Sequence, residues 1–399
     1  MPLKLDRSPH QFTPLLPGQL ALEPLLAQAH DLARDALALS IPPPASELRT
    51  LLRGMNSYYS NRIKGQHTRP LELEQALRKD FSADAALAAR QRLALAHMAA
   101  EAAVEAAYVG EDAARRLYQP EAVQALHADL FNRLPEADRF TDEGELIVPG
   151  QLRQREVQVR QHVAPSSASL PDLLATWGQQ YGGVRRGEMT LIALAAAHQR
   201  LGWIHPFIDG NGRVMRLHTH AVLNALGYTR GLWSPLRGFA RSQARYYALM
   251  ADADVPRRGD LDGRGNLSEQ ALVAWIAYVL DVCTDQVRFM ASLLGLGQMK
   301  ARIAACLSFE EEVRKNGIRR VALVPMHYLF LDGGEMERGE FKSMLNLGDR
   351  TAGTVLAALL ERGLLKSDTP QGKLRFAYPL HALRFYFPAL WPEAEADAA

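Results

Sequence analysis

His205-Pro206-Phe207-Ile208-Asp209-Gly210-Asn211-Gly212-Arg213-Val214-Met215-Arg216 is the stretch on which the reading of this chain turns. Upstream, residues 190–204 (TLIALAAAHQRLGWI) are apolar and alanine-rich, the composition of a buried helix. Downstream, Val214, Leu217, Ala221 and Ala225 recur every three or four residues until Gly227, so a second helix starts near Gly212. The stretch is therefore a helix–loop–helix junction with Gly-Asn-Gly at the amino end of the second helix. Unpaired N–H groups and the helix dipole favour an anion there, and glycine lets backbone approach it closely. Arg213 and Arg216, in the first helical turn, project to one side and can reach phosphate oxygens. Asp209 is a hard oxygen ligand of the kind Mg²⁺ takes. His205, with an ordinary pKa of about 6.5, can accept a hydroxyl proton near neutral pH. Singly, such residues are more often a packed histidine, a plain turn or surface ion pairs; the complete pattern at one junction sets those readings aside. A zinc site from His198, His205, His218 and His220 is disfavoured, since no HExxH or Cys/His spacing is present.

These residues resemble the core motif of the Fic family, His-x-Phe-x-(Asp/Glu)-Gly-Asn-Gly-(Arg/Lys)-x-x-Arg, and match it at every specified position. The resemblance implies a mainly α fold, with a helical core and a small β-hairpin flap. It also implies transfer of a nucleoside monophosphate, usually AMP from ATP with Mg²⁺, onto a Ser, Thr or Tyr hydroxyl of a protein, the chain itself included. By position, His205 is then the general base and Asp209 the Mg²⁺ ligand. Gly210, Asn211 and Gly212 hold the α- and β-phosphates, Arg213 supports the β-phosphate and Arg216 contacts the γ-phosphate. Phe207 anchors the loop in the core. Tyr247 and Met250 match the family's adenine pocket, although paired tyrosines at helical spacing are as often core. A divergent branch related to the family transfers the γ-phosphate instead; it departs from Gly-Asn-Gly, which is intact here. A third reading is a DNA-binding regulator with the Fic core as its sensor.

Outward from the motif, Val157, Val159 and Val163 lie on one side of a period-two segment, with Gln158, Arg160 and His162 on the other. That pattern argues an edge strand or hairpin within 148–165, where the resemblance places the target-docking flap. Ser60-Asn-Arg-Ile-Lys64-Gly65, within 57–65, resembles the family's inhibitory helix, (Ser/Thr)-x-x-x-Glu-(Gly/Asn), whose glutamate pairs with the motif's last arginine. Lys64 stands at the glutamate position. The resemblance then implies transfer without an activating mutation and little AMP removal, with Lys64 either attracting phosphate or turned to solvent.

The organisation read from the sequence is an arm and helical region over 1–112, the Fic core over 113–295, a winged helix-turn-helix over 324–390 and a disordered tail over 391–399. Up to about residue 45 the chain is proline-spaced, ending in Pro42-Pro43-Pro44, and reads as an extended arm with one short helix. Residues 83–108 and 121–134 are strong helix formers. Residues 259–266 look like a calcium loop but fail the EF-hand pattern at Arg264; a surface turn leading into a helix over 267–294 is expected. In the C-terminal region a helix over 339–346 precedes Asp349 as N-cap of a helix over 350–362, closed by Gly363. Arg350, Lys366, Lys373 and Arg375 could contact DNA phosphates. Thin basic charge and Glu361 on that helix favour a packing or dimerising role.

The 399 residues, 48% hydrophobic, suffice for two or three domains with real cores. A formal net charge of +2 sets up no global field toward nucleic acid or membrane. The absence of an h-region, of a bilayer-length apolar run and of more than two cysteines, Cys283 and Cys306, fits a cytoplasmic protein.

Overall fold

The computed structural model describes residues 9–39, 46–159, 162–185 and 187–390; the proline run, Arg160 and the tail expected to be disordered lie outside them. In chain order the helices are α1 (Gln19–Ala38), α2 (Ser46–Arg62), α3 (Pro70–Leu77), α4 (Ala85–Ala107), α5 (Glu111–Arg116) and α6 (Pro120–Asn132). The hairpin β1 (Gln158–Val159) and β2 (His162–Val163) follows, then α7 (Leu170–Gly182), α8 (Gly187–Ile204), α9 (Asn211–Ala225), α10 (Leu236–Arg241), α11 (Gln243–Asp252) and α12 (Glu269–Leu293). The chain ends with α13 (Leu296–Phe309), α14 (Leu323–Asp332), α15 (Arg338–Met344), α16 (Asp349–Glu361), the hairpin β3 (Leu365–Lys366) and β4 (Arg375–Phe376), and α17 (Leu380–Tyr386). The fold is mainly α, with two small antiparallel hairpins among the described residues. Two compact units emerge: the described residues of 1–38, 56–68 and 75–287, and those of 39–55, 69–74 and 288–399.

The first unit is built around α8. Every residue from Leu191 to Ile204 is buried, as expected of a helix apolar on all sides. Its alanines let neighbours approach: the Trp177 and Trp275 indoles donate to the carbonyls of Ala197 at 2.9 Å and Ala195 at 2.7 Å. α1, α7 and α9 pack on α8, while α4, α5 and α6 pack on α9.

The N-terminal region is not an extended arm. α1 is a twenty-residue helix that buries Leu25, Ala29, Leu32 and Ala36, a stripe at three- and four-residue spacing that outweighs the proline signal. Pro24 sits near the helix start beside Leu20, which is 96% exposed, so water can serve the carbonyl left without a donor. Ahead of α1, the Pro14 carbonyl accepts from buried Arg200 at 2.9 Å and the Thr13 carbonyl from the Leu267 amide at 2.8 Å. Residues 259–266 form the expected turn. The buried Asp262 carboxylate accepts from the Gln270 amide and the Ser268 hydroxyl, both at 2.9 Å, at the start of α12.

In the second unit helix, helix and hairpin follow in the expected order, with Leu365 paired to Phe376 and Lys366 to Arg375. The N-cap of α16 is Gly348; Asp349 is its first helical residue and favours the dipole from there. Gly363, at φ +68°, closes the helix as expected. Arg375 is held by Glu47 at 2.8 Å, Asp368 at 2.6 Å and Glu335 at 3.0 Å, and Lys373 lies 3.6 Å from Glu337. Two of the four cations considered for DNA are therefore engaged by carboxylates. Cys283 and Cys306 are buried, and burial pushes their thiols up to about 12 and about 11, as befits small core residues. Among the described residues, no helix is long and apolar enough to cross a membrane.

The core also sets an acid limit. Burial pushes His198 down to about 3 and His127 and His218 to about 4. Unfolded, each takes a proton below about pH 6.5; folded, none does until pH 3 to 4. Unfolding therefore takes up protons in that window, and stability falls as pH drops, by up to about 1.4 kcal/mol per pH unit for each histidine. Melting temperature is expected to decline steadily from pH 7 to pH 5. A flat profile in calorimetry would refute this.

Candidate active site

The loop from His205 to Gly210 is held rigidly from within and from below. The Asn211 side chain clamps it: Oδ1 accepts from the Phe207 amide at 2.9 Å and Nδ2 donates to the Phe207 carbonyl at 2.7 Å. Phe207 is fully buried and stacks on His127, ring centroids 4.0 Å apart, the core anchor expected of it. His127 Nδ1 accepts from the Gly150 amide at 2.8 Å, so its proton sits on Nε2, which donates to the Asp209 carbonyl at 3.2 Å. Arg153 is buried and reaches the same loop. Its Nε donates to the His205 carbonyl at 2.8 Å and its amide to the Pro206 carbonyl at 2.9 Å. Gly210 adopts φ +82° and caps α9; a Cβ there would lie 2.5 Å from the Phe131 ring. Only glycine fits. Neither His127 nor Arg153 stood out in the sequence, where one is a polar residue on an amphipathic helix and the other one of several arginines.

His205 ends α8 at φ +48°, with its amide on the Leu201 carbonyl at 3.1 Å. Its imidazole is pushed down to about 4, first by burial and then by His162 and Arg153, with Asp209 opposing. At neutral pH it is an uncharged base. His162 is the converse. Its Nε2 donates to the Trp203 carbonyl at 2.8 Å and its Nδ1 faces the Asp254 carboxylate at 3.2 Å, an arrangement that favours the protonated ring. Burial lowers its pKa, but the Asp254 carboxylate outweighs burial and the net shift is upward.

The Lys64 ammonium sits on Asp209, 2.8 Å from Oδ1 and 2.6 Å from Oδ2. Burial would raise the Asp209 pKa; Arg213, Lys64 and the Gly210 amide together bring it below its ordinary value. Arg213 lies 3.5 Å from the same carboxylate and 5.4 Å above the Phe131 ring. Arg216, also buried, donates through Nε to the Ser60 hydroxyl at 3.1 Å and through its terminal nitrogen to the Ser60 carbonyl at 2.9 Å. Lys64 is thus paired with Asp209 and not turned to solvent. The missing glutamate does not leave Asp209 or Arg216 without a partner. From α11, Tyr247 Oη and Gln243 Nε2 both donate to the Ile63 carbonyl, at 3.1 and 2.8 Å, fixing the turn that carries Lys64 and Gly65. Met250 packs against Gly202 of α8, where an added Cβ would meet its methyl at 2.5 Å.

The flap segment is a hairpin, with Gln158 opposite Val163 and Val159 opposite His162. Val159 therefore shares a face with His162, and Val163 with Gln158; the expected three-valine side does not form. Alternation holds along one strand, whereas residues paired across the ladder share a face. Val159 and Val163 remain 40% and 56% exposed. The four histidines weighed for zinc do not converge: His198 bonds Tyr246 and Thr219, and His218 faces the Leu117 carbonyl.

A family model described as the Fic/DOC family matches residues 117–223, from the end of α5 to near the end of α9. The chain carries a Fic/DOC-family domain. Over 121 residues, 30% of this chain, it is 31% identical to the protein adenylyltransferase Fic of Drosophila mojavensis and 32% identical to that of Drosophila grimshawi. The match spans only 24% and 25% of those relatives' lengths. The fold is similar to a Fic family protein of Desulfovibrio desulfuricans, at TM-score 0.52 and 17% identity over 92% of this chain and 99% of that one. It is also similar to residues 134–508 of Fic-1 from C. elegans, at 0.51 and 15% over 68% and 72%. The Fic domain thus contains the whole loop from His205 to Arg216, together with His127 and Arg153.

Proposed function

We propose that the chain is a protein adenylyltransferase, moving AMP from ATP to a Ser, Thr or Tyr hydroxyl of a protein, itself included. The observation that carries this reading is an uncharged, half-buried His205 imidazole at the loop that opens the α9 N-terminus. In the reaction the hydroxyl oxygen forms a bond to the α-phosphorus, its proton passes to His205, and the α–β phosphate bond breaks to release pyrophosphate. The α9 N-terminus with Arg213 and Arg216 stabilises the phosphate charge. The donor chemistry of Asp209, a carboxylate beside that anion seat, fits Mg²⁺, and Lys64 already places one positive charge on it. Bound there, Mg²⁺ would neutralise phosphate charge. Incubation with ATP labelled at the α- or the γ-phosphate tests the reading: label is expected only from the α-position. Transfer of γ-label alone would replace it with phosphoryl transfer.

The exposed hairpin supports docking of an extended target segment by backbone pairing. The Ala164 amide donates to the Val157 carbonyl at 3.2 Å. Hydrogen-bonded and non-bonded pairs alternate along an antiparallel ladder, so the Val163 backbone points away from β1. Val163→Pro removes that outward donor. Target modification is expected to fall about tenfold while nucleotide affinity holds, read by titration beside initial rates. Loss of both together would make the hairpin purely structural.

A further inference from the structure

We propose that Glu101, Glu105 and His220, joined by His97, form a buried binding site for a divalent transition metal, zinc foremost, separate from the nucleotide loop. His97, Glu101 and Glu105 recur every four residues along α4 and so share one face. α9 packs against α4 and carries His220. Ligand atoms of Glu101, Glu105 and His220 all lie within 4.8 Å of one another. His220 Nε2 is 2.8 Å from a Glu105 carboxylate oxygen and 3.6 Å from one of Glu101.

His97 makes this more than a buried ion cluster. It is 0% exposed, and neither ring nitrogen has a hydrogen-bond partner among the described residues. Its Nδ1 is nonetheless aimed at Glu101, 3.8 Å from Oε2. A buried imidazole left without partners is destabilising, and a metal ion would satisfy it. Asn56 Nδ2 donates to Glu101 Oε1 at 2.7 Å and so orients one carboxylate from outside the cluster. Two imidazoles and two carboxylates suit Zn²⁺, whereas Mg²⁺ and Ca²⁺ prefer oxygen alone. Two carboxylates also cancel the ion's double charge, with Glu101 and His220 each 1% exposed and Glu105 partly buried.

The metal-stripped full chain, dialysed against Zn²⁺ and assayed by elemental mass spectrometry, is expected to retain one zinc per chain and to melt at a higher temperature. Asp209→Asn keeps that zinc. Glu105→Gln and His220→Gln lose it, and Asn56→Ala, which spares the ligands, binds about 10- to 100-fold more weakly. Should the ligand variants fail to fold, Co²⁺ added to the unmutated chain gives a separate readout. Intense visible bands of four-coordinate Co²⁺ support the site; only the weak bands of six-coordinate Co²⁺ overturn it. No retained zinc, or zinc retained equally in His220→Gln, would show instead that the cluster is a hydrogen-bonded network that holds α4 to α9.

Discussion

Lys64→Ala is expected to raise the rate of AMP transfer at limiting Mg²⁺ and to lower the Mg²⁺ concentration for half-maximal rate about tenfold. The reason is competition for one carboxylate, since Lys64 Nζ spans both oxygens of Asp209. The side chains are 35% and 18% exposed, so solvent screens the pair only in part. A tenfold shift corresponds to about 1.4 kcal/mol, slightly above the ~1 kcal/mol ceiling of fully exposed pairs. Ser60 still holds Arg216 in this variant, so the change isolates the lysine. Initial rates across a Mg²⁺ series decide it. An unchanged or higher Mg²⁺ requirement would mean that Lys64 does not compete at Asp209.

His205→Ala is expected to lower the rate about 10²- to 10⁴-fold, the range for loss of a general base, with ATP affinity retained. The unmutated chain carries a further signature. A base that protonates near pH 4 keeps its activity as pH falls through 6 and 5, and loses it only as the imidazole takes up a proton. Burial sets this shift, with His162 and Arg153 adding to it and Asp209 opposing. An acid limb near pH 6.5 in kcat/KM, or full activity in His205→Ala, would remove His205 from the proposed role.

Much of the candidate-site loop was legible because its chemistry is local. Gly210, Asp209 and the arginines lie within one helix start, and the periodicity of α8 and α9 fixes where that start falls. Long-range partners were not legible. Nothing in a linear pattern brings Lys64 onto Asp209, 145 residues away, or His127 beneath Phe207. The resemblance singled out Lys64 but not its partner, because the opposite charge on Asp209 becomes relevant only once the two segments meet. α1 was misread for a different reason. Its prolines are conspicuous, while its stripe of Leu25, Ala29, Leu32 and Ala36 is half alanine and faint. The flap failed on parity, since the alternation read along one strand does not fix which residues pair across the ladder.

The Ile63 carbonyl accepts from both Tyr247 and Gln243, one residue before Lys64. If Tyr247 also lines the nucleotide's seat, that seat and the turn that carries Lys64 share one side chain. Occupancy of that seat and detachment of the lysine are then thermodynamically linked, and linkage is reciprocal. Whatever factor a nucleotide gives to the lifting of Lys64, a chain with the lysine already lifted must return in nucleotide affinity. The turn at Ile63 would thereby make the restraint on Asp209 responsive to the nucleotide of the proposed reaction.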